Sequence, residues 1–142
     1  MKILRLTERF KLNLDGVIVT IAPLSGSQKL EMTSMIRQGA DGKHYIDKTK
    51  QEVFLVKHSV KAIEGLKDMD EADYALEFEK DSSYLTNECA EEVLSFLVNT
   101  MFTFANTQAM NGLFGEVINP FTNEPIKGVS IERVVKEGDE KK

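Results

Sequence analysis

Phe10-Lys-Leu-Asn-Leu-Asp-Gly-Val-Ile-Val-Thr-Ile21 is the stretch that decides the fold class. Leu12 and Leu14 alternate with Lys11, Asn13 and Asp15, so an extended chain there has one apolar and one polar face. Asp15-Gly16 follows, then the run Val17-Ile-Val-Thr-Ile21. An Asp-Gly pair between two such runs signals a β-hairpin, because glycine reaches positive φ without a Cβ penalty. Pro23 lacks the N–H that a ladder needs, so the second strand ends before it. Upstream, Met1 to Phe10 mixes charges with apolar residues and lacks the continuous apolar stretch of a signal peptide.

Helical patterns follow the hairpin. Ser25 or Ser27 is placed to cap a first helix, Gln28 to Gln38 is rich in helix formers, and Gly39 ends it. Asp41-Gly42 makes a turn, and Asp47 caps a second helix over Lys48 to Lys57, with Val53, Leu55 and Val56 partly inward. Ser59 to Leu66 either extends that helix or forms a strand, and its alternation fits a strand better; Asp68 to Asp73 reads as an acidic turn. Tyr74, Leu76 and Phe78 alternate with Ala75, Glu77 and Glu79 as a half-buried strand. The two strands are expected to pair as a second hairpin.

Thr86 caps the longest predicted helix, whose early acids Glu88, Glu91 and Glu92 suit the helix dipole. It is expected to reach Asn111, with Gly112 at its C-terminal cap. Its broad apolar side comprises Ala90, Val93, Leu94, Leu97, Val98, Met101, Phe102, Phe104, Ala105 and Ala109, with Phe96 and Met110 outside it. Val129 and Ile131 are expected to supply a last strand, which Val134 could extend. The expected fold is α+β: a small antiparallel sheet of hairpins packed with three helices, one of them long. A single domain is expected over residues 1–135, with a charged, disordered tail over 136–142.

Composition narrows the function. The chain has 142 residues, 42% of them hydrophobic and 29% charged, which suits one globular domain. A net charge of -5 without a Lys/Arg cluster argues against a nucleic-acid binder. Cys89 is the single cysteine, so no internal disulfide forms; it reads as a small apolar filler of the helix. His44 and His58 match no zinc-ligand spacing, so no metal is expected. Asp68, Asp70, Glu71 and Asp73 lack the central glycine and terminal glutamate of a calcium loop. No Gly-x-Ser-x-Gly elbow and no phosphate-binding glycine loop appears, and no catalytic or cofactor-binding residue is assigned.

The most informative feature is Val93 to Gly115, which contains no charged residue. Its Asn, Thr and Gln side chains argue against a membrane span. Two readings stand side by side. Either the helix is buried on most sides by its own domain, or its uncharged face, supplied with Phe and Met, is the core of an interface. On the second reading the partner-binding residues are Phe96, Met101, Phe102, Phe104, Met110 and Phe114.

Three stretches together carry a family likeness. They are Phe10-Lys-Leu-Asn-Leu-Asp-Gly through Ile21-Ala-Pro-Leu-Ser-Gly, Val56-Lys-His-Ser-Val-Lys-Ala-Ile-Glu-Gly-Leu-Lys-Asp with the acidic turn and Tyr74-Ala-Leu-Glu-Phe-Glu, and Leu85-Thr-Asn-Glu-Cys-Ala-Glu-Glu-Val-Leu. In this order they resemble the tail assembly chaperones of long-tailed bacteriophages, over roughly the first two thirds of the chain. Gly115 to Val135 lies outside the likeness. The resemblance implies a non-enzymatic protein of the host cytoplasm, α+β in fold. It would bind the tape measure protein, assist tail tube assembly and form homo-oligomers, without cofactor, nucleic acid or membrane. The alternative is a structural tail or head-tail component that self-assembles into rings or tubes.

Overall fold

The computed structural model describes residues 4–134. The expected hairpin forms from β1 (Phe10–Leu14) and β2 (Val17–Ile21), paired from Phe10↔Ile21 to Leu14↔Val17. Asp15 and Gly16 both take positive φ, 54° and 100°, as the tight turn that matches strand twist requires. β1 becomes the middle strand of a five-stranded antiparallel sheet. Its other neighbour is β7 (Pro125–Arg133), which pairs in turn with β6 (Gly115–Ile118). β5 (Val60–Glu64) pairs with β2, so the order is β5-β2-β1-β7-β6.

Alternation sets the two faces of the sheet. Phe10, Leu12, Leu14, Val129 and Ile131 are buried, whereas Asn13, Ser130 and Glu132 are exposed. The buried face joins one core with residues of α2 (Lys48–Ser59), α3 (Asn87–Leu97) and α4 (Phe102–Met110). A smaller unit precedes α2: α1 (Gly26–Thr33), then the exposed hairpin of β3 (Ile36–Gln38) and β4 (His44–Ile46).

The α+β class and antiparallel sheet hold, with four helices among the described residues instead of three. The long helix is broken. α3 stops at Leu97, residues 98–101 form a turn, and α4 starts at Phe102. The break follows from what the core demands. Leu97 and Phe102 are both buried, yet in one continuous helix they would point about 140° apart at 100° per residue. Thr100 makes the turn locally favourable. Its Oγ1 donates to the Leu97 carbonyl at 2.6 Å and accepts from the Phe102 N–H at 3.3 Å, competing with the helical ladder.

The first helix also ends early. Ser25 caps it with a reciprocal capping box to Gln28, but it stops at Thr33 rather than Gln38. The Thr33 and Ser34 hydroxyls donate back to the Leu30 and Glu31 carbonyls. Ile36 to Gln38 then pairs with His44 to Ile46 across the Asp41-Gly42 turn, where the Tyr45 hydroxyl donates to Asp41.

The second hairpin does not form. β5 pairs with β2, and in place of a ladder there are two isolated bridges, Lys67↔Asp73 just before the Tyr74–Glu79 segment and Phe78↔Leu85 within it. That segment is tied instead to the start of α3: the Glu77 N–H reaches Cys89 Sγ at 3.3 Å, and the Thr86 N–H donates to the Glu77 carbonyl. Tyr74 and Leu76 still turn partly inward but Phe78 is exposed, so the alternation held for burial at Tyr74 and Leu76 only and was silent about the pairing partner. The tail expected over 136–142 lies outside the described residues.

Candidate functional site

The six interface candidates on the charge-free stretch are placed unequally. Phe102 is only 3% exposed and belongs to the core. Met101, Phe104 and Met110 are half-buried against that core. Phe96 and Phe114 are exposed. They do not converge through one set of contacts: Phe96 meets Tyr74 edge-on at 5.2 Å, Phe114 stacks on Phe10 at 5.4 Å, and Phe104 meets Phe121 edge-on at 6.2 Å. The stretch therefore has two unlike sides. Val93, Leu97, Phe102, Ala105, Asn106 and Ala109 are buried, while Ser95, Phe96, Val98, Asn99, Thr103 and Thr107 leave an exposed side without charge.

A wide concavity lies elsewhere, where α1, α2 and α3 meet. It is an open groove of about 1130 Å³. Along α2, Lys50, Val53, Phe54 and Lys57 recur at three- and four-residue spacing and face it together. Along α3, Asn87, Glu91, Leu94 and Ser95 do the same, joined by Val98 at its C-terminal cap. Met35 from the segment after α1 joins Val53, Phe54, Leu94 and Val98 in an apolar lining. The α2 wall carries Lys50 and Lys57 as well as Glu52, and the α3 wall carries Glu91. At one end Lys57 Nζ bridges the walls by donating to Asn87 Oδ1 at 2.7 Å, and it stands 5.4 Å from the centre of the Tyr84 ring.

His58 closes the side toward α1. Its ring packs against Phe54 at 4.4 Å and Tyr84 at 5.1 Å. Gln28 fixes its tautomer. Gln28 Oε1 already accepts the Ser25 N–H in the capping box, so Nε2 is the end that meets His58 Nδ1, at 3.2 Å. Nδ1 must then accept, which requires a neutral ring protonated at Nε2. Burial, and next the neighbouring Lys57 charge, push the His58 pKa below its ordinary 6.5, with Lys61 adding to the effect and Glu31 opposing it. The unfolded chain thus binds the proton more readily, and stability falls as pH drops below about 6.5 toward the folded pKa. His58→Asn is expected to flatten this segment of the melting temperature against pH curve between pH 7.5 and 5. An unchanged slope in the variant would place the dependence on other groups.

The remaining candidates have structural places. Cys89 is buried in the first turn of α3, its Sγ 3.7 Å from the Tyr74 hydroxyl. Burial, then hydrogen bonding with Cys89 and Glu92, pushes the Tyr74 pKa up and keeps the phenol neutral. In the acidic turn, Asp68 Oδ1 accepts the N–H groups of Asp70 and Ala72. His44 is exposed on β4. Among the described residues no group of three His, Cys, Asp or Glu side chains is placed to hold a metal, and no helix is long and apolar enough to cross a membrane.

Reading the sequence missed the groove because it assigned the site to one long helix. The available signal was the shared face of Lys50, Val53, Phe54 and Lys57, but nothing in the sequence said that this face would stand beside Leu94 and Val98. Compared with protein-family models, curated proteins and solved structures, the chain matches none of them.

Proposed function

We propose that the chain is a non-enzymatic phage tail assembly chaperone that holds apolar helical segments of the tape measure protein and assists tail tube assembly in the host cytoplasm. The observation that carries this reading is the α2–α3 groove, with its apolar lining flanked by Lys50, Lys57 and Glu52 on α2, Glu91 on α3 and Glu31 on α1. An amphipathic helix needs an apolar trough to bury its hydrophobic stripe, and charges on the rims to fix its direction and register. The uncharged outer side of the 93–115 stretch adds surface of the same character. The likeness to tail assembly chaperones supplies the identity of the partner.

Val98 gives a clean test, because it is 63% exposed and lines the groove at the end of α3. A lysine there suits the helix C-terminus and is expected to change stability by no more than about 0.5 kcal/mol. It would place an unpaired charge beneath a docked helix, so affinity for the partner is expected to fall about tenfold or more. The assay is co-expression with the long helical protein encoded next downstream, scoring that protein's solubility and co-elution with wild type and Val98→Lys. Solubility that depends on this chain and is lost in the variant supports the proposal. A partner indifferent to the chain, with rings or tubes formed by the chain alone, would replace it with the structural-component reading.

A further inference from the structure

β6 is the last strand of the sheet order, so one of its edges carries no strand neighbour among the described residues. That edge is nevertheless occupied. From α4, the Gln108 carboxamide reaches it and makes two hydrogen bonds: Nε2 donates to the Glu116 carbonyl at 2.8 Å, and Oε1 accepts the Ile118 N–H at 3.1 Å. One side-chain amide thus fills the outward acceptor and donor that flank Val117. A side chain able to satisfy both is doing what a neighbouring strand would do.

We infer that this edge is a self-pairing site for a second copy of the chain, and that Gln108 is its intramolecular guard. The hydrogen-bond groups and the charge pattern beside them suit that occupant. In an antiparallel ladder, a directly opposed pair that shares no bond of its own is flanked by bonds from the carbonyl one residue before it to the N–H one residue after it on the other strand. Set Val117 opposite Val117 of the second copy about a two-fold axis. The Glu116 carbonyl then meets the Ile118 N–H of the second copy, and the reverse bond forms by symmetry. The two groups that Gln108 covers are therefore complementary to themselves, as an isologous contact requires.

Charge and neighbours agree with this pairing. Each Glu116 lies across from an Ile118, not from the other Glu116, so no like charges are opposed. The nearby exposed side chains Leu113, Phe114, Ile118 and Phe121 are apolar. A four-residue strand supplies a small contact, so the dimer is weak and concentration-dependent, and the guard decides whether it forms. The inference does not rest on the proposed chaperone function, and the groove between α2 and α3 takes no part in it.

The test compares wild type, Gln108→Ala and the double variant Gln108→Ala/Ile118→Pro by analytical ultracentrifugation over a concentration series. Alanine favours the helix and cannot bond the edge. Its expected effect is dimerisation about tenfold tighter than wild type, the factor typical of freeing a pair of solvent-accessible hydrogen-bonding groups. Proline at 118 removes the outward N–H at an edge position that tolerates it, and is expected to return the chain to wild-type behaviour or weaker. Amide exchange at Ile118 gives a second readout that does not depend on the proline variant folding. Protection there should be lost in dilute Gln108→Ala and regained as concentration rises. A Gln108→Ala protein as monomeric as wild type across the series would overturn the inference. So would a dimer in which the Ile118 amide stays unprotected.

Discussion

Phe10→Ala is expected to lower the free energy of unfolding by about 4 kcal/mol, the middle of the range for emptying a buried phenylalanine site. Phe10 is fully buried at the start of the central strand, paired with Ile21 on one side and Arg133 on the other. Three losses combine: the transfer energy of the ring, the cavity left in a core braced by strands on both sides, and the stacking contact with Phe114 at 5.4 Å. With a urea dependence of about 2 kcal/mol per molar, the unfolding midpoint should fall by about 2 M. Phe10→Leu keeps most of the volume and is expected to lose less than half as much. A midpoint within about 0.5 M of wild type for the alanine variant would mean that this end of the sheet collapses around the missing ring.

Gly65→Ala should destabilise the chain by about 3 kcal/mol through backbone strain and a steric clash together, with almost no change in buried area. Gly65 follows β5 at φ +85°, a region an L side chain adopts only under strain. A Cβ there would also fall inside van der Waals contact of the Gly16 carbonyl oxygen, which is backbone in the tight β1–β2 turn and cannot swing aside. Gly16→Ala is the informative contrast: it has positive φ, +100°, but no atom near the added Cβ. It should therefore carry the strain without the clash and cost about 1–2 kcal/mol. Equal melting temperatures for the two variants would show that the β5 terminus moves away from the turn at little cost.

Local chemistry made several elements readable in advance. The Asp15-Gly16 hairpin, the β2 stop before Pro23, the Ser25, Asp47 and Thr86 caps and the Gly112 terminus all depend on residues within a few positions of one another. Positive φ, a missing N–H and a side-chain oxygen beside free helical amides act without reference to the rest of the fold. The strand around Val129 and Ile131 was legible for a related reason, since alternation records which side of a strand is buried.

Tertiary structure decided what involved partners far apart in the sequence. Alternation at Tyr74 to Glu79 looked the same whether the segment paired with β5 or lay against the start of α3, and packing chose the second. The apolar side of residues 90–109 fitted one long helix, until the requirement that both Leu97 and Phe102 reach the core broke it at the 98–101 turn. Neither the α2–α3 groove nor the Gln108 contact with β6 exists in any local stretch, because each is made by faces that meet only after the chain has closed. The sequence by itself determined the turn at Asp15-Gly16, the strand stop before Pro23 and the caps at Asp47 and Thr86, because those are short-range properties of neighbouring residues. Which strand pairs with which, where a helix must bend and what surface two helices build together were left to the closed fold, because they depend on geometry between residues that the sequence holds far apart.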